Sequence, residues 1–546
     1  MHTTVIIGGV AGGMSAATRL RRNDESRRII VLEASSNVSF ANCGLPYHIS
    51  GTIADRAALL LQTPQSLKAR FNLDVRVNTT ATAIDAARKI VHTANGEEIS
   101  YHELVLSPGA TAVNPYPDAL TLRNVEDMDA IISAAAGAQS ARIIGGGFIG
   151  VELAENLARR GLAVTIVERA PQILTPLDPE MAEIVAQHLE AHGVTILTNA
   201  TIETAPAADI TIAAIGVRPS VELARSAGLE IGKLGGIIVD DQMRTSDPAI
   251  FAVGDAVEKR DAIDGSPTLV ALAQTANRQG RLVADVIAGK SGRDIPVLGT
   301  AIVGVFGLSA ASVGWNERKA LRERHPDSVR VIHLHPAAHA GYYPGATALH
   351  MKLVIDAETD AILGAQVVGA DGVDKRIDVL ATAIRAGITA PELAHLELAY
   401  APQFGSAKDP INFAGYIASN HEPSVQWHEL DSYGFTGVST SDAPADHTGS
   451  ALTDAASDEE KVLIDVRTPG EFARGAIPGA INMPLDSLRE NYQQLEGKRV
   501  LVHCQVGLRG HIAVTLLHNL GISAANLSGG YVTWKYGQAA RERSAQ

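Results

Sequence analysis

The sequence contains two cysteines among its 546 residues, and each lies in a short glycine-containing motif that could carry sulfur chemistry. Cys43 lies in SFANCGLPY, and Cys504 lies in HCQVGLRG. No disulfide framework is available to the chain, and isolated cysteines in such loop-like motifs are typical of reactive thiols. The two cysteines therefore predict redox or sulfur-transfer chemistry in a reducing compartment.

Length, charge and hydropathy limit the class of protein. A chain of 546 residues predicts roughly three or four domains at ~150 residues each. The net charge of −14 disfavours nucleic acid and anionic membranes as partners, because phosphate groups would be repelled. The first residues lack the pattern of a secretory signal, and no apolar run approaches the ~18 residues of a membrane span. We expect a soluble cytoplasmic protein with no nucleic-acid or membrane partner.

The beginning of the chain predicts a dinucleotide-binding βαβ unit. The segment VIIGGVAGGMSAATRLRR is an apolar strand, a glycine-rich turn and a helix, with glycines at Gly8 and Gly13. Val10 takes the middle position of the usual G-x-G-x-x-G pattern and is followed by Ala11. Glu33 ends the next strand, where a carboxylate can accept hydrogen bonds from ribose hydroxyl groups.

A second unit of the same kind follows in ARIIGGGFIGVELAENLARRG. Its glycines complete the fingerprint at Gly145, Gly147 and Gly150, with Phe148 and Ile149 between them. Such a turn brings a pyrophosphate to the N-terminus of a helix. Glu168, at the end of the next strand, favours NADH, because a carboxylate binds a free 2′-hydroxyl and repels a 2′-phosphate. An adjacent arginine leaves NADPH open as the alternative.

The segment TSDPAIFAVGDAVE completes a pattern that resembles a known family. Two nucleotide folds, the second inserted into the first and closed by a Gly-Asp strand, resemble the flavoprotein disulfide reductases that bind two dinucleotides. The resemblance implies that the first fold binds FAD and the inserted fold binds NADH or NADPH. It implies that Asp255 contacts the flavin ribityl chain, and that Pro108 and Gly109 mark the crossover between the two folds.

The resemblance implies an α/β fold class with two Rossmann-like dinucleotide-binding domains and an α+β dimerisation domain. Near the end of the chain, KVLIDVRTPGEFARGAIPGAINMPL and VLVHCQVGLRGHIAVTLL resemble a rhodanese domain, which implies a fused C-terminal α/β domain. We place their boundaries as follows: FAD-binding domain, 1–120 and 246–300; NAD(P)H-binding domain, 121–245; dimerisation domain, 301–425; linker, 426–458; rhodanese domain, 459–546.

The surroundings of Cys43 select a branch of this family. Members with a C-x4-C redox pair are excluded, because His48 stands five residues after Cys43. Single-cysteine members cycle either through a sulfenic acid, as NADH oxidases and peroxidases do, or through a mixed disulfide with coenzyme A. SFANCGLPY resembles the coenzyme A-disulfide reductases. Peroxidase-type relatives carry a histidine in the first glycine-rich turn, where this chain has Ala11, yet the sulfenic-acid route stays open.

The resemblance also implies contacts with coenzyme A. Arg19 and Arg22 lie three residues apart, hence on one face of the first helix, and could bind its phosphates. The alternative is an ordinary solvated basic face. Further residues implied as substrate contacts are Ser39, Phe40, Asn42, Gln62 and Lys68.

Residues 300–420 predict a β-rich dimerisation domain and hence a homodimer. In the family that LAYAPQFGSAKDPIN resembles, a tyrosine reaches toward the cysteine of the partner subunit, and Tyr400 and Tyr342 are the candidates. A phenol there could hydrogen-bond or protonate a leaving sulfur; simple interface packing is the alternative. His333, His335 and His339 alternate in a strand and are expected to face outward, so we predict no metal site.

The C-terminal part resembles a rhodanese domain after a small, polar and acidic stretch, residues 431–458, that predicts a flexible linker. In VLVHCQVGLRGHIAVTLL, consecutive N–H groups and Arg509 would stabilise a thiolate or persulfide at Cys504. A phosphatase of related fold needs C-x5-R, whereas this loop is C-x4-R. Asp465, Arg467 and Glu471 match the opening of the rhodanese pattern, and we expect them to be structural.

Together these patterns predict a homodimeric FAD enzyme that uses NADH or NADPH to reduce coenzyme A disulfide, coenzyme A persulfide or polysulfide. Cys43 would form a mixed disulfide with coenzyme A, with a pKa lowered by a helix N-terminus and by the flavin. Cys504 would carry persulfide sulfur toward Cys43. Two rivals stay open: an NADH oxidase or peroxidase acting through a Cys43 sulfenic acid, and a sulfurtransferase whose flavoprotein half is regulatory.

Overall fold

The computed structural model describes residues 2–420, 422–433 and 460–545, and the chain divides into two compact units. Unit 1 comprises Met1–Val167, Gly193–Leu197 and Thr201–Gly299. Unit 2 comprises Glu168–His192, Thr198–Ala200 and Thr300–Gln546. Among the described residues, no helix has both the length and the apolar character that crossing a membrane requires.

The first 120 residues begin with short runs of Val, Ile and Leu, which favour buried strands. The strands and helices of this part are β1 (Thr3–Ile7), α1 (Ala11–Asn23), β2 (Arg28–Leu32), α2 (Leu45–Ile49), α3 (Pro64–Phe71), β3 (Asp74–Arg76), β4 (Ala81–Asp85), β5 (Ile90–Thr93), β6 (Glu98–Ser100), β7 (Glu103–Leu106) and β8 (Ala110–Ala112). A capping box between Thr63 and Ser66 begins α3.

The next part of the chain repeats the strand–turn–helix pattern and then returns to the first sheet. Its elements are α4 (Val125–Ala135), β9 (Ser140–Ile144), α5 (Phe148–Arg159), β10 (Ala163–Val167), α6 (Pro179–Ala191), β11 (Thr195–Leu197), β12 (Ile210–Ala213), β13 (Val217–Pro219), α7 (Glu222–Ser226), β14 (Ile250–Ala252), β15 (Lys259–Arg260), β16 (Pro267–Thr268) and α8 (Ala273–Ile287).

Unit 1 contains two parallel sheets. The first has the order β14-β7-β1-β2-β3, with Val5 opposite Ile30 on one side and Leu104 on the other. The second has the order β11-β10-β9-β12. In open parallel sheets, ligands bind beyond the carboxyl ends of the strands, so the turns after β1 and β9 are the places where a nucleotide is expected.

The dimerisation-like part of unit 2 is built on an antiparallel sheet of order β17-β18-β21-β20-β19. Helix α10 packs on this sheet through a buried face that includes Ile377 and Leu380. The elements are β17 (Ala301–Val305), β18 (Leu308–Gly314), α9 (Glu317–Glu323), β19 (Val329–Leu334), β20 (Leu349–Asp356), β21 (Ile362–Gly369), α10 (Val373–Ala386) and α11 (Pro410–Ser419).

The C-terminal part of unit 2 is a parallel sheet of order β22-β26-β25-β23-β24 with helices between its strands. The elements are β22 (Ser424–Val425), β23 (Lys461–Asp465), α12 (Pro469–Ala473), β24 (Ile481–Asn482), α13 (Leu485–Asn491), β25 (Arg499–His503), α14 (Leu508–Asn519), β26 (Ala524–Leu527) and α15 (Gly530–Ala545).

The structure differs from the predicted linker at its beginning. β22 pairs with β26, although the sequence analysis assigned residue 425 to the dimerisation domain. Trp427–Tyr433 form a 3₁₀ helix, and Leu430 is buried in the same core as Leu463. These apolar side chains explain why the segment joins the sheet. The remaining linker residues, 434–458, lie outside the described residues.

The three histidines near β19 do not face outward as expected. His333 and His339 are buried. The His333 N–H donates to Ser528 Oγ at 3.1 Å, and His335 Nε2 lies 2.7 Å from Thr533 Oγ1. Alternation of residues along a strand shows which side chains share a face but not whether another segment packs on that face. Here Ser528 and Thr533 contact His333 and His335.

A buried charge cluster lies beside His333. Lys352 Nζ is 2.6 Å from carboxylate oxygens of both Glu180 and Glu317 and 2.9 Å from Asp178. Burial lowers the pKa of Lys352, but the three carboxylates outweigh it and hold the pKa well above its ordinary value. The ammonium thus occupies the centre of an acidic group that would otherwise suit a cation.

Candidate functional site

The turn after β1 is closed tightly against the end of β7. Gly8 has a φ of +100°, and a Cβ on it would lie 2.0 Å from the Ser107 carbonyl oxygen. A Cβ on Gly13 would lie 1.9 Å from the Gly8 carbonyl oxygen. Val10 is the N-cap residue of α1, which begins at Ala11. Gly8 and Gly13, where a Cβ would collide with the backbone, are both glycine, so the missing middle glycine does not prevent the turn.

Glu33 is fixed at the end of β2 by this turn. Its Oε2 accepts the Gly9 N–H at 2.7 Å, and its Oε1 accepts the Ser35 N–H at 2.9 Å. A carboxylate offers about four acceptor positions, so capacity for a ribose hydroxyl group is left. Glu33 therefore lies beside the first glycine-rich turn, where the sequence analysis placed it.

The turn after β9 repeats this geometry. Gly145 has a φ of +105°, and a Cβ on Gly150 would lie 2.0 Å from the Gly145 carbonyl oxygen. Within the described residues, no heavy atom lies within 4 Å of a Cβ built on Gly147, the N-cap of α5. The open space before Phe148 and Ile149 fits a pyrophosphate at a helix N-terminus. Glu168 follows β10 directly, and its Oε1 accepts the Ala170 N–H at 2.7 Å.

The Gly254-Asp255 turn follows β14 as a short 3₁₀ helix, Gly254–Ala256. Gln279 Oε1 accepts the Gly254 N–H at 2.9 Å, and Lys259 Nζ donates to the Gly254 carbonyl at 2.6 Å. Burial lowers the pKa of Lys259 to about 8. Asp255 lies 3.5 Å from the guanidinium group of Arg123. These contacts hold the Asp255 carboxylate at the edge of the first sheet.

Cys43 lies in a 3₁₀ helix, Asn42–Gly44, directly before α2, and its side chain is exposed. The preceding loop is attached to the first nucleotide turn, because the Ser39 N–H donates to the Gly9 carbonyl at 2.8 Å. Phe40 is buried and anchors the loop. The thiol is therefore presented on the surface by a loop that is fixed to the nucleotide turn.

The protein groups around Cys43 act against a thiolate. Desolvation raises the pKa of the Cys43 thiol, the carboxylates of Glu152 and Asp255 raise it further, and Arg123 opposes them. The sequence analysis expected a helix N-terminus to lower the pKa of the Cys43 thiol. This expectation is wrong, because desolvation and the neighbouring carboxylates raise that pKa. Helix α2 has five residues, too few for a substantial macrodipole.

Tyr47, one turn after Cys43, connects the cysteine loop to α5. Its hydroxyl donates to Glu152 Oε1 at 2.9 Å. Burial raises the pKa of Glu152, and burial together with Glu152 raises the pKa of Tyr47. Arg160, after the end of α5, donates to the Ile49 carbonyl at 2.8 Å. The helix after the second nucleotide turn thereby holds α2.

Tyr342 and Tyr400 form an exposed pair in unit 2. Their hydroxyl oxygens are 2.8 Å apart, and Tyr342 is 76% exposed. The hydrogen bond with Tyr342 raises the pKa of Tyr400. The structure therefore brings the two predicted phenols together, 58 residues apart in the chain.

Cys504 lies at the end of β25 and is fully buried. Its Sγ accepts the Gly507 N–H at 3.2 Å. The Tyr531 N–H donates to the Cys504 carbonyl at 2.8 Å, so the start of α15 fixes the loop from the other side. The predicted strand–loop–helix unit is present, and the Gly507 N–H of its loop donates to the sulfur.

Arg509, five residues after Cys504, is held by Glu471. Its two terminal nitrogens donate to the two carboxylate oxygens at 2.8 and 2.6 Å. Glu471 also accepts the Thr468 N–H as part of a capping box at the start of α12. The bond to Arg509 lowers the pKa of Glu471 to about 2. Glu471 is therefore a partner of the cysteine loop as well as a structural residue.

Comparisons with known proteins identify the family. Residues 2–280 match the family model described as pyridine nucleotide-disulphide oxidoreductase, and residues 300–409 match the dimerisation domain of that family. Residues 449–536 match a rhodanese-like domain. The chain belongs to the pyridine nucleotide-disulphide oxidoreductase family.

Similar proteins cover either the oxidoreductase part or the whole chain. A coenzyme A disulfide reductase of Staphylococcus aureus is 34% identical over 443 residues, 77% of this chain and 100% of that protein. The crystal structure of reduced Bacillus anthracis CoADR-RHD aligns with a TM-score of 0.91 and 40% identity, over 99% of this chain and 98% of the other. An NAD-dependent persulfide reductase from A. fulgidus aligns with a TM-score of 0.87 and 34% identity, over 97% and 100%.

Several predictions for this oxidoreductase are confirmed by these matches. The multidomain α/β fold class with a rhodanese-like domain is confirmed, as is an enzyme of the disulfide oxidoreductase type that uses FAD and a pyridine nucleotide. The two glycine-rich turns described above fit these two dinucleotides.

The predicted coenzyme A contacts are only partly brought together. Arg19 makes two hydrogen bonds to Asp285 on α8, at 2.8 and 3.1 Å, so its guanidinium group already has a carboxylate partner. Arg22 donates to the Thr18 carbonyl at 3.1 Å and is exposed. Helical spacing placed both arginines on one face but could not show that α8 packs beside Arg19.

The remaining predicted contacts lie around α3. Gln62 accepts the Ser66 hydroxyl at 2.9 Å, and Lys68 donates to Asn72 at 2.7 Å. A cavity of about 390 Å³ opens beside Lys68 and is lined by three arginines that the sequence analysis did not select, Arg21, Arg27 and Arg28. Arg21 is nearly buried and bonds backbone carbonyls, which is a structural use of its charge.

Sequence reasoning missed four residues that define the sites of the oxidoreductase: Tyr47, Glu152, Arg123 and Lys259. Tyr47 lay within the motif quoted for Cys43, and Glu152 follows the last glycine of the second fingerprint by two positions. Their hydrogen bond spans 105 residues of sequence, so motif spacing alone carried no signal for it.

Proposed function

We propose that this oxidoreductase is a homodimeric flavoenzyme that uses NADH, or alternatively NADPH, to reduce coenzyme A disulfide, coenzyme A persulfide or polysulfide. Cys43 forms a mixed disulfide with coenzyme A, and Cys504 carries persulfide sulfur. The similarity to a coenzyme A disulfide reductase and to a persulfide reductase supports this substrate class.

The observation that carries the proposal is the isolation of Cys43. It is an exposed thiol on a loop fixed to the first nucleotide turn, and the other cysteine of the chain lies 461 positions later, at 504 minus 43. An intrachain redox pair within the cysteine loop is therefore impossible. A substrate thiol has to be the second sulfur of the exchange.

The residues of the loop account for the exchange step. The Cys43 thiolate attacks one sulfur of a coenzyme A disulfide, forms the Cys43–coenzyme A bond and releases one coenzyme A thiolate. When bound, the flavin and the nicotinamide supply the two electrons that return the mixed disulfide to two thiols. Desolvation raises the pKa of the Cys43 thiol, and the Glu152 carboxylate, which accepts the Tyr47 hydroxyl, raises it further and so lowers the thiolate fraction.

The exposed tyrosines support a role across a dimer. Tyr342 and Tyr400 lie in the segment that matches the dimerisation domain. A phenol that reaches the Cys43 of a second copy would donate a hydrogen bond to the departing sulfur of coenzyme A. The 2.8 Å bond between the two hydroxyl groups gives the donor a fixed orientation.

The buried loop around Cys504 supports storage of sulfur. A persulfide forms when the Cys504 thiolate takes the outer sulfur of a donor and releases the donor's thiolate, with no net oxidation. The Gly507 N–H is placed to stabilise negative charge on the sulfur. The loaded sulfur is then delivered to coenzyme A or to Cys43 for reduction.

Steady-state kinetics of two variants test the proposal. Cys43→Ala should lose NADH-dependent reduction of coenzyme A disulfide by about a thousandfold or more, because no other residue can form the covalent intermediate. Cys504→Ser should keep that activity and lose turnover of persulfide or polysulfide. Full activity of Cys43→Ala would contradict the proposal, and a higher kcat/KM for oxygen or peroxide than for sulfur acceptors would favour the sulfenic-acid route.

A further inference from the structure

The loop that holds Cys504 carries little net positive charge. The positions between the cysteine and the arginine are Gln505, Val506, Gly507 and Leu508, none of which is basic. Arg509 is the cation of the loop; it makes two charge-assisted bonds to Glu471 and also interacts with the Cys504 side chain. The loop therefore presents a neutral ion pair to an incoming donor rather than an uncompensated guanidinium group.

The other basic residues around the loop are also compensated. Arg467 is buried against Asp465, with bonds of 2.6 to 3.0 Å. His511 Nδ1 lies 2.6 Å from a carboxylate oxygen of Glu422. His503 is buried, and burial lowers its pKa to about 4, so it is neutral at pH 7.

We propose that the Glu471–Arg509 pair sets the donor specificity of Cys504, so that the domain takes sulfur from the hydropersulfide of a thiol in preference to thiosulfate. The inference rests on the proposed function, in which Cys504 carries persulfide sulfur. It adds the chemical class of the donor and names Glu471 as the residue that determines it.

The physical reason is the charge of the donor. Thiosulfate is a dianion that must approach a thiolate, transfer its outer sulfur to form the Cys504 persulfide and leave as sulfite dianion. A hydropersulfide, R–S–SH or its anion, carries at most one charge, transfers the same outer sulfur and leaves as the thiol or thiolate. Charge repulsion is therefore larger for thiosulfate, and only an uncompensated cation would offset it.

Glu471→Gln tests the idea with little change in shape. Glutamine also completes a capping box, so α12 keeps its N-terminal cap while Arg509 loses its counter-charge. The rate at which Cys504 gains one sulfur from thiosulfate should rise about tenfold, because the guanidinium charge of Arg509 is then uncompensated and attracts the dianion. Loading from the hydropersulfide of 2-mercaptoethanol should change less than about twofold.

Two further variants of the full-length protein complete the experiment. Leu508→Lys adds an unpaired cation to the loop at a side chain that is 57% exposed, so it tests the idea without touching the ion pair. Glu460→Gln is the matched control, because it removes the same charge from an exposed pair with Lys498 elsewhere in the domain. Sulfur gain is read by mass spectrometry of the Cys504 peptide.

The outcomes separate this inference from the proposed function. Faster thiosulfate loading in Glu471→Gln and Leu508→Lys, with Glu460→Gln unchanged, is the expected result. Equal effects on both donors, or no effect of either loop variant on thiosulfate, would overturn the donor specificity while leaving Cys504 a sulfur carrier. If neither donor adds sulfur to Cys504 in any protein, the carrier role itself fails, and the donor specificity fails with it.

Discussion

Cys43 and Cys504 are two thiols in opposite surroundings. Cys43 is exposed, and nearby carboxylates together with desolvation raise its pKa. Cys504 is buried, accepts a backbone N–H and lies in a loop whose arginine is held by Glu471. Cys43 is thus at the surface among groups that disfavour its thiolate, whereas Cys504 is enclosed and its sulfur accepts the Gly507 N–H.

This difference suggests a division of tasks. An exposed thiol with a raised pKa is protonated at rest and reacts when substrate and cofactors are in place, which limits unwanted oxidation. A buried sulfur in a loop of N–H groups is suited to hold a persulfide between two reactions.

Alkylation of the native protein should separate the two thiols most strongly. Iodoacetamide at pH 8 should label Cys43 at least about a hundredfold faster than Cys504, because reagent access decides the rate even where thiolate is available. Peptide mass spectrometry over a time course measures both rates in one sample. Comparable labelling of the two peptides would remove the contrast in exposure on which the division of tasks depends.

Gly530→Ala should disrupt the enclosed site. Gly530 has a φ of +64°, and a Cβ on it would lie 2.5 Å from the Cys504 carbonyl oxygen. We expect a loss of about 1–3 kcal/mol in the stability of the cooperative element that contains β25 and α15, as for other strained positions. Denaturant unfolding measures it, with Gly521→Ala as the control, since Gly521 also has a positive φ but faces open space.

Glu152→Gln should make Cys43 more reactive. The thiol reacts as its thiolate, so the alkylation rate rises with pH through a midpoint that, by the protein groups alone, lies above the ordinary thiol value of about 8.5. Removing the Glu152 charge should move that midpoint to lower pH and raise the rate at pH 7 severalfold. Stopped-flow alkylation across pH measures the shift.

Glu155→Gln is the matched control for that shift. Glu155 lies one turn further along α5, where its charge raises the pKa values of Tyr47 and Glu152, and it is not among the main causes that raise the pKa of Cys43. An unchanged midpoint in Glu152→Gln, or an equal shift in both variants, would show that the carboxylate does not control Cys43.

Tyr342→Phe should have the smallest effect. The variant keeps the ring and removes one hydrogen bond between two exposed phenols, where water competes for both hydroxyl groups. We expect kcat for coenzyme A disulfide to fall about two- to fivefold with KM nearly constant. Steady-state kinetics with Tyr343→Phe as the neighbouring control measure it, and a change in KM alone would indicate packing rather than catalysis.

The sequence was sufficient for the parts of the molecule that local spacing determines. Both glycine-rich turns, the Gly-Asp turn and the strand–loop–helix around Cys504 lie at the predicted residues, because each motif is a short stretch whose backbone geometry demands particular residue types. Even the imperfect first fingerprint was interpretable, since Val10 is the N-cap of α1 with a negative φ of −113°, a backbone conformation that does not require glycine.

The sequence was insufficient for contacts that packing creates. Arg19 meets Asp285 across 266 residues, and Arg509 meets Glu471 across 38. Nothing in the residues next to either arginine or either carboxylate indicates its partner, so neither ion pair could be predicted from a local sequence motif. The exposure of His333 and His335 was predicted wrongly for the same reason. Their partners Ser528 and Thr533 follow almost 200 residues later in the chain.

The central claim is that Cys43 alone exchanges with coenzyme A. Its most direct test is peptide mass spectrometry of the protein incubated with coenzyme A disulfide, before and after NADH is added. We expect a coenzyme A adduct on the Cys43 peptide that NADH removes. An adduct that forms only on the Cys504 peptide, or none on Cys43 while NADH is still consumed, would contradict it.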